Sequence, residues 1–124
     1  MTMDADALAA ELRSYGISVE DLSVDEDALR VTYMTAFPGD TVHHPEIGRA
    51  CNALIDLQEA DRWEPTRVEA TVERAPGDVL GRWHVEPEWF ERLASYELSE
   101  TEFSTRVVET IDHASETSTA EDAP

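Results

Sequence analysis

Two short stretches of the sequence combine imidazole and carboxylate side chains at close spacing. "VHHPE" places His43, His44 and Glu46 within four residues, and "WHVEPE" places His84 beside two glutamates. Histidine nitrogens and carboxylate oxygens together suit zinc, or iron in a site of two histidines and one carboxylate. Neither stretch has the spacing of a helical metal pair, and adjacent histidines diverge on regular structure. We therefore predict no metal and no cofactor, and keep these four residues as candidate ligands for an alternative, metal-binding function.

The stretch "GRWHVEPEWF" is unusually rich in aromatic side chains. Trp83, Trp89 and Phe90 fall within eight residues of one another, and His84 lies between them. One interpretation is a strand-to-helix corner that only fills the core. The other is a core that also presents a partner surface, because tryptophan is favoured at interfaces. We take Trp83, His84, Trp89 and Phe90 as the candidate interaction surface.

Cys51 is the single cysteine of the chain, so no intrachain disulfide can form. It falls on the apolar stripe of a predicted helix, which favours a small buried core residue over a nucleophile. The chain contains no nucleophile elbow, phosphate-binding loop, dinucleotide fingerprint or C-x-x-C pair. We therefore assign no catalytic residue and lean against an enzyme.

The charge composition is strongly acidic. The chain has 28 acidic residues and a formal net charge of -19, and all nine basic residues are arginine. Such self-repulsion opposes compaction in dilute buffer, but molar salt shortens the screening length to about 3 Å. Short hydrated carboxylates also replace the long alkyl stems of lysine. This pattern predicts a halophilic protein adapted to high KCl.

The same composition limits the partners. Nucleic-acid binding needs basic patches, so we do not expect a nucleic-acid partner. A DNA-associated regulator would need an arginine-lined face. Arg67, Arg74 and Arg82 could share one across one hairpin, but each lies among acids. The N-terminus has no signal-peptide pattern, and no window approaches the roughly 20 apolar residues of a membrane span. We expect a cytoplasmic protein with no membrane association.

Hydrophobic periodicity predicts alternating hairpins and helices. The predicted elements are a helix over 4–15 that Asp4 or Asp6 can cap, a hairpin over 17–37 with a bulge near residue 21, a helix over 46–60, a hairpin over 67–85, a helix opening at Pro87, and a last helix from the capping box Ser99/Glu102 to near His113. In the fourth strand, the odd-numbered residues from Val79 to Val85 are expected to point inward. Residues 1–113 form one domain, and the polar residues 114–124 read as a disordered tail.

The predicted fold class is α+β. Each hairpin has one apolar face, and the helices are amphipathic. The economical arrangement is a two-layer sandwich, in which a four-stranded, mostly antiparallel sheet carries the helices on one face, in the order α-ββ-α-ββ-α-α. The order of the strands in the sheet is not fixed by these patterns.

Five stretches together carry a resemblance to a known family: "VTYMTAFPGD", "EIGRACNALIDL", "RVEATVE", "GRWHVEPEWFERL" and "LSETEFSTRVVETI". The chain resembles small acidic haloarchaeal proteins with a domain of unknown function, up to about His113. The resemblance implies an archaeal cytoplasm rich in salt, and it implies no activity. The element order is also similar to small two-layer secretion-chaperone domains, which is an analogy of fold and not of function.

These observations favour a non-enzymatic interaction module or small chaperone-like protein. They are its small size, the absence of catalytic motifs and the aromatic stretch. Its partner would be another protein or a second copy of the chain. The alternative is a small metal-binding protein or metal-dependent enzyme that uses the histidine and glutamate side chains named first.

Overall fold

The computed structural model describes residues 4–37, 39 and 41–113. This part of the chain forms four helices and five strands. They are α1 (Ala5–Ser14), β1 (Ser18–Val24), β2 (Ala28–Met34), α2 (His44–Glu59), β3 (Arg67–Ala75), β4 (Asp78–Val85), α3 (Pro87–Ala94), α4 (Glu100–Val108) and β5 (Asp112–His113). The predicted mixed α+β class is confirmed. The predicted tail, 114–124, lies outside the described residues.

The sheet has five strands, so the predicted four-stranded sheet and its element order are wrong. The additional strand, β5, comprises only Asp112 and His113, which pair antiparallel with Arg82 and Gly81 of β4. Two residues cannot show a period-two pattern, so no sequence signal distinguished this strand from the end of the last helix. The observed order along the chain is α-ββ-α-ββ-α-α-β.

The strands lie in the sheet in chain order, β1-β2-β3-β4-β5. Three of the four neighbouring pairs are antiparallel, and β2 pairs with β3 in parallel. A parallel pair needs a long crossover, and α2 supplies it between β2 and β3. The two predicted hairpins are therefore joined edge to edge into one sheet.

Two bulges set which side chains face the core. In β1, Val19 pairs with Tyr33 and Asp21 with Thr32, so the register shifts at Glu20, as the parity switch predicted. In β4, the register shifts again near Val79. Leu80 is therefore buried while Val79 is half-buried, and the inward orientation expected for Val79 is wrong. An irregularity beside a turn moved the alternation by one residue.

One face of the sheet is buried and the other is accessible to solvent. In β3, Val68, Ala70 and Val72 are buried, whereas the residues between them remain partly exposed. The buried side chains of the strands form a single core with the apolar faces of α1, α2, α3 and α4. The accessible side, which we call the open face, carries the alternate residues of β1 to β4.

Helix starts follow the predicted capping chemistry. The Asp4 side chain caps α1 by accepting from the amide of Ala7, and Ser99 and Glu102 form a complete capping box at α4. The end of α4 is different from the prediction, because the helix stops at Val108 and does not reach His113. Immediately afterwards, the Thr110 hydroxyl accepts from the amide of His84 at 2.9 Å, so the chain turns onto the edge of β4.

Three helices end in a left-handed residue whose following amide bonds back to the last turn. Gly16 takes this position after α1, as expected for a residue without Cβ, but Asp61 and Tyr96 take it after α2 and α3. Tyr96 has φ of 66° and is 93% exposed. A bulky side chain in this conformation is strained, and here no packing compensates for it.

Among the described residues, no helix is long and apolar enough to cross a membrane.

Candidate functional site

Glu46 is buried and already engaged in hydrogen bonds. It is only 1% exposed in the first turn of α2. Its carboxylate accepts from the Thr35 hydroxyl at 2.6 Å and from the Ala36 amide at 3.0 Å. The Thr35 oxygen in turn accepts from the amide of Phe37 at 3.2 Å. The carboxylate therefore fixes the chain that leaves β2, and it is closed to solvent.

The adjacent histidines 43 and 44 have separate surroundings. The ring of His43 stacks on the ring of Phe37, with 3.7 Å between the two ring centroids. The guanidinium carbon of Arg49 lies 5.9 Å from the centroid of the same Phe37 ring. His44 begins α2 and lines a groove on the helical side. The two imidazoles thus belong to different environments, as expected for neighbours on regular structure.

His84 lies on the open face, away from the start of α2. Its Nε2 is 3.5 Å from the Glu86 carboxylate, and its ring stacks on Trp89 at 6.1 Å. Within the ranges that the structure describes, no group of three or more His, Cys, Asp or Glu side chains could hold a metal ion. The sequence-predicted ligands are therefore not brought together.

The aromatic stretch divides between core and surface. Trp83 and Phe90 are 2% and 0% exposed. The Trp83 indole N–H donates to the Tyr33 hydroxyl at 3.0 Å inside the core, and Phe90 packs between Trp63 and Phe103. Trp89 is half-buried. Only His84 and Trp89 of the four candidate residues reach solvent.

Cys51 is buried, as predicted. The residue is 5% exposed, and burial alone raises the pKa of its thiol to about 12. The thiolate is the reactive form of cysteine, and at neutral pH it is essentially absent here. Cys51 therefore contributes volume to the core and no nucleophile.

An apolar groove runs over the helical side between α2 and α4 and reaches α3. Its volume is about 390 Å³. The half-buried side chains of Ile55, Leu93 and Val108 line it, one from each helix, above the buried rings and chains of the core. Among the described residues, thirteen line it and Glu100 is their single acid, whereas 28 of 124 residues are acidic in the chain. Sequence periodicity predicted amphipathic helices, but only the packing of three helices shows that a groove remains open.

The open face holds a second, polar concavity of about 640 Å³. Counting described residues alone, three of the nine arginines and three acids line it, so their formal charges balance on a strongly acidic protein. Ion pairs link Arg30 with Glu69 at 3.1 Å and Arg67 with Glu69 at 2.8 Å. Hydrogen bonding from Arg67 holds the pKa of Glu69 below its usual range. Arg67 also pairs with Glu86 at 2.5 Å.

His113 was not singled out from the sequence, yet it has a defined structural role. Its Nε2 accepts from the amide of Val42 at 3.1 Å, which attaches the segment before α2 to β5. Gly81 makes this approach feasible, because a Cβ there would lie 3.0 Å from both the Asp112 carbonyl oxygen and the Val42 side chain. A contact 71 residues apart in sequence has no local signal.

The fold and these surfaces describe a small α+β protein with an apolar groove on one side and a polar sheet face on the other. The chain belongs to the family defined by the domain of unknown function DUF8159, whose family model matches residues 1–117. No curated protein and no solved structure matches the chain.

Proposed function

We propose that this protein is a non-catalytic protein-binding module that receives an amphipathic helix of a partner protein in the groove between α2, α3 and α4. The groove is the observation that carries the proposal. Helix-in-groove recognition needs an apolar floor and half-exposed side chains along its walls. Ile55, Leu93 and Val108 provide them.

The acid content of the surface supports this choice. The chain is rich in carboxylates, which are strongly hydrated. A surface area that nearly lacks carboxylates is therefore not adapted to contact with the salty solvent. In the part of the chain that the structure describes, the groove lining has one acid, Glu100, and no arginine. A contact made there depends on apolar burial, which high salt does not weaken, and not on charge pairing, which high salt screens.

The composition of the chain argues for a partner from outside it. Residues 114–124 contain no side chain larger than glutamate and no apolar one beyond alanine and proline, so this segment cannot fill an apolar groove. Within the described residues, all four helices already contribute apolar faces to the chain's own core, so none of them is a free amphipathic helix for a second copy. These observations favour a helix of a different protein as the occupant.

The position and exposure of Tyr96 also support a contact surface on the side of the molecule that holds the groove. It lies in the connection between α3 and α4, the two helices that supply Leu93 and Val108 to the groove. A fully exposed tyrosine in a left-handed conformation lowers stability without gaining packing. Contact with a partner gives such a side chain a use, since exposed tyrosine is favoured at interfaces.

The affinity of this groove should be modest. Fully burying a Val, Leu or Ile side chain gains about 1.5–3 kcal/mol, so completing the burial of three half-buried ones gains about 2–4 kcal/mol. Association costs at least about 4 kcal/mol, and the apolar face of the partner has to supply the surplus. We expect dissociation constants of about 10 µM to 1 mM.

The test is a titration with a designed amphipathic peptide, leucines at i, i+3, i+4 and i+7 and glutamine elsewhere, in molar KCl. Saturable shifts of the Ile55, Leu93 and Val108 amide resonances are expected. Ser104→Arg, which places a long charged side chain at the groove, should abolish them. Thr105→Arg, one residue along α4 and outside the groove lining, should not.

Two results would reject the proposal. One is equal binding by the Ser104→Arg and Thr105→Arg variants. The other is peptide-induced shifts confined to the open face. Sedimentation of the protein alone tests the choice of occupant: a concentration-dependent dimer that Ser104→Arg dissociates would replace the partner helix by a second copy.

Salt adaptation is a separate part of the proposal, and it places the protein in a cytoplasm rich in KCl, as in haloarchaea. It is supported by 28 acids against nine arginines and by the complete absence of lysine. The midpoint of urea unfolding should rise steadily as KCl increases toward molar concentrations. A protein equally stable without salt would reject this part and leave the groove untouched.

A further inference from the structure

A row of polar side chains crosses the centre of the open face. Thr32 of β2 pairs in register with Thr71 of β3, and Thr71 pairs with Arg82 of β4. Neighbouring strands lie about 4.8 Å apart, so the three side chains span roughly 10 Å. All three line the concavity on this face.

These side chains lie beside arginines that are already paired with glutamates. Arg30 and Arg67 share Glu69, and Arg67 and His84 share Glu86. Within the described residues, the Arg82 guanidinium has no hydrogen bond, ion pair or ring contact, and neither threonine hydroxyl has a hydrogen-bond partner. The concavity therefore presents a forked cation and two hydroxyl donors to a ligand.

We propose that this row binds the phosphate group of a small organic phosphate. A guanidinium fork matches two oxygens of a phosphate, and charge-assisted hydrogen bonds of this kind are strong and directional. The threonine hydroxyls donate to the remaining oxygen. A carboxylate offers only two oxygens and a single charge, so it uses fewer of these donors.

The surroundings select a single phosphate on a small molecule over a nucleic-acid backbone. The row ends in an acid on both sides, since Asp21 pairs with Thr32 and Asp112 pairs with Arg82. A chain of phosphates running across the sheet would meet both carboxylates, whereas one phosphate above Thr71, at the centre of the row, lies between Thr32 and Arg82. The concavity of about 640 Å³ exceeds the size of a phosphate and leaves room for the body of a small ligand.

The experiment titrates the full chain with inorganic phosphate, at constant ionic strength in KCl, and follows the side-chain Nε–H resonances of the arginines. A saturable shift at Arg82 is expected, and acetate should bind at least about tenfold more weakly. Arg82→Gln should weaken phosphate binding about tenfold or more. Arg62→Gln is the matched control, because Arg62 is exposed, without a side-chain partner among the described residues, and outside the concavity.

A gain-of-binding variant separates this site from general charge effects. Glu69→Gln removes the carboxylate that Arg30 and Arg67 share and should tighten phosphate binding severalfold. Glu73→Gln makes the same change in charge on the same strand, outside the concavity, and should leave the affinity near that of the wild type. The proposal is overturned if the shift at Arg82 does not saturate, if Arg62→Gln weakens binding as much as Arg82→Gln, or if acetate binds as well as phosphate.

Discussion

Replacing the buried carboxylate of Glu46 by its amide should destabilise the protein by about 1–2 kcal/mol. Glu46→Gln keeps the shape of the side chain, but Thr35 and Ala36 donate to different carboxylate oxygens and the amide has only one acceptor oxygen. One bond therefore loses its charge assistance, about 1 kcal/mol, and the other loses its acceptor, about 1 kcal/mol more. Removing a buried charge relieves part of its desolvation cost and lowers the net loss.

The measurement is urea unfolding in molar KCl, followed by tryptophan fluorescence. Glu88→Gln is the control, since Glu88 is an exposed acid in the first turn of α3 and experiences a similar helix-end field. It should cost less than about 0.5 kcal/mol, as is usual for surface substitutions. If Glu46→Gln costs no more than Glu88→Gln, the carboxylate does not hold the segment after β2, and a role as an available ligand regains support.

Three further predictions concern the core and one helix end. Tyr33→Phe should cost about 1–3 kcal/mol, because it leaves the buried Trp83 indole N–H without its acceptor; faster exchange of that proton would accompany the loss, and an unchanged unfolding free energy would contradict it. Tyr96→Gly should stabilise the protein by about 1 kcal/mol in urea unfolding, because it removes left-handed strain without loss of packing, whereas a destabilised variant would show that Tyr96 packs in the folded chain. The native Cys51 thiol should not react with alkylating reagents at neutral pH. The folded pKa of the Cys51 thiol, about 12, exceeds its unfolded value. The free energy that the buried thiol contributes to stability is therefore complete below pH 9 and is lost as pH rises toward 12. Cys51→Ala should reduce this dependence of the unfolding free energy on pH.

Local chemistry explains which elements the sequence predicted correctly. The N-cap Asp4, the capping box at Ser99 and the bulge near Asp21 depend on residues within four positions of one another, and all three are present. The amphipathic helices and alternating strands follow from burial on one side, which leaves a regular pattern in the sequence. Composition and hydrophobic periodicity were therefore enough to predict the α+β class.

The errors and omissions arise from contacts between residues far apart in sequence. β5 exists because Asp112 and His113 meet β4, and α4 ends where Thr110 bonds to His84. The groove and the open-face concavity also arise from tertiary packing, so no residue spacing in the sequence predicts them. Trp63 was overlooked because it lies in a loop, yet it is 2% exposed and packs edge-on against Phe90.

The central claim is that the surface acids are an adaptation to a salty solvent and that partner binding depends on apolar burial. The salt dependence of peptide binding to the groove tests this claim most directly. The dissociation constant of the designed peptide should stay constant or fall as KCl rises from low to molar concentration. The Thr105→Arg variant is the reference and should behave in the same way, and the Ser104→Arg variant should not bind the peptide at any KCl concentration. Binding that weakens tenfold or more over this range, about 1.4 kcal/mol, would show that charge pairing holds the peptide and would contradict the account.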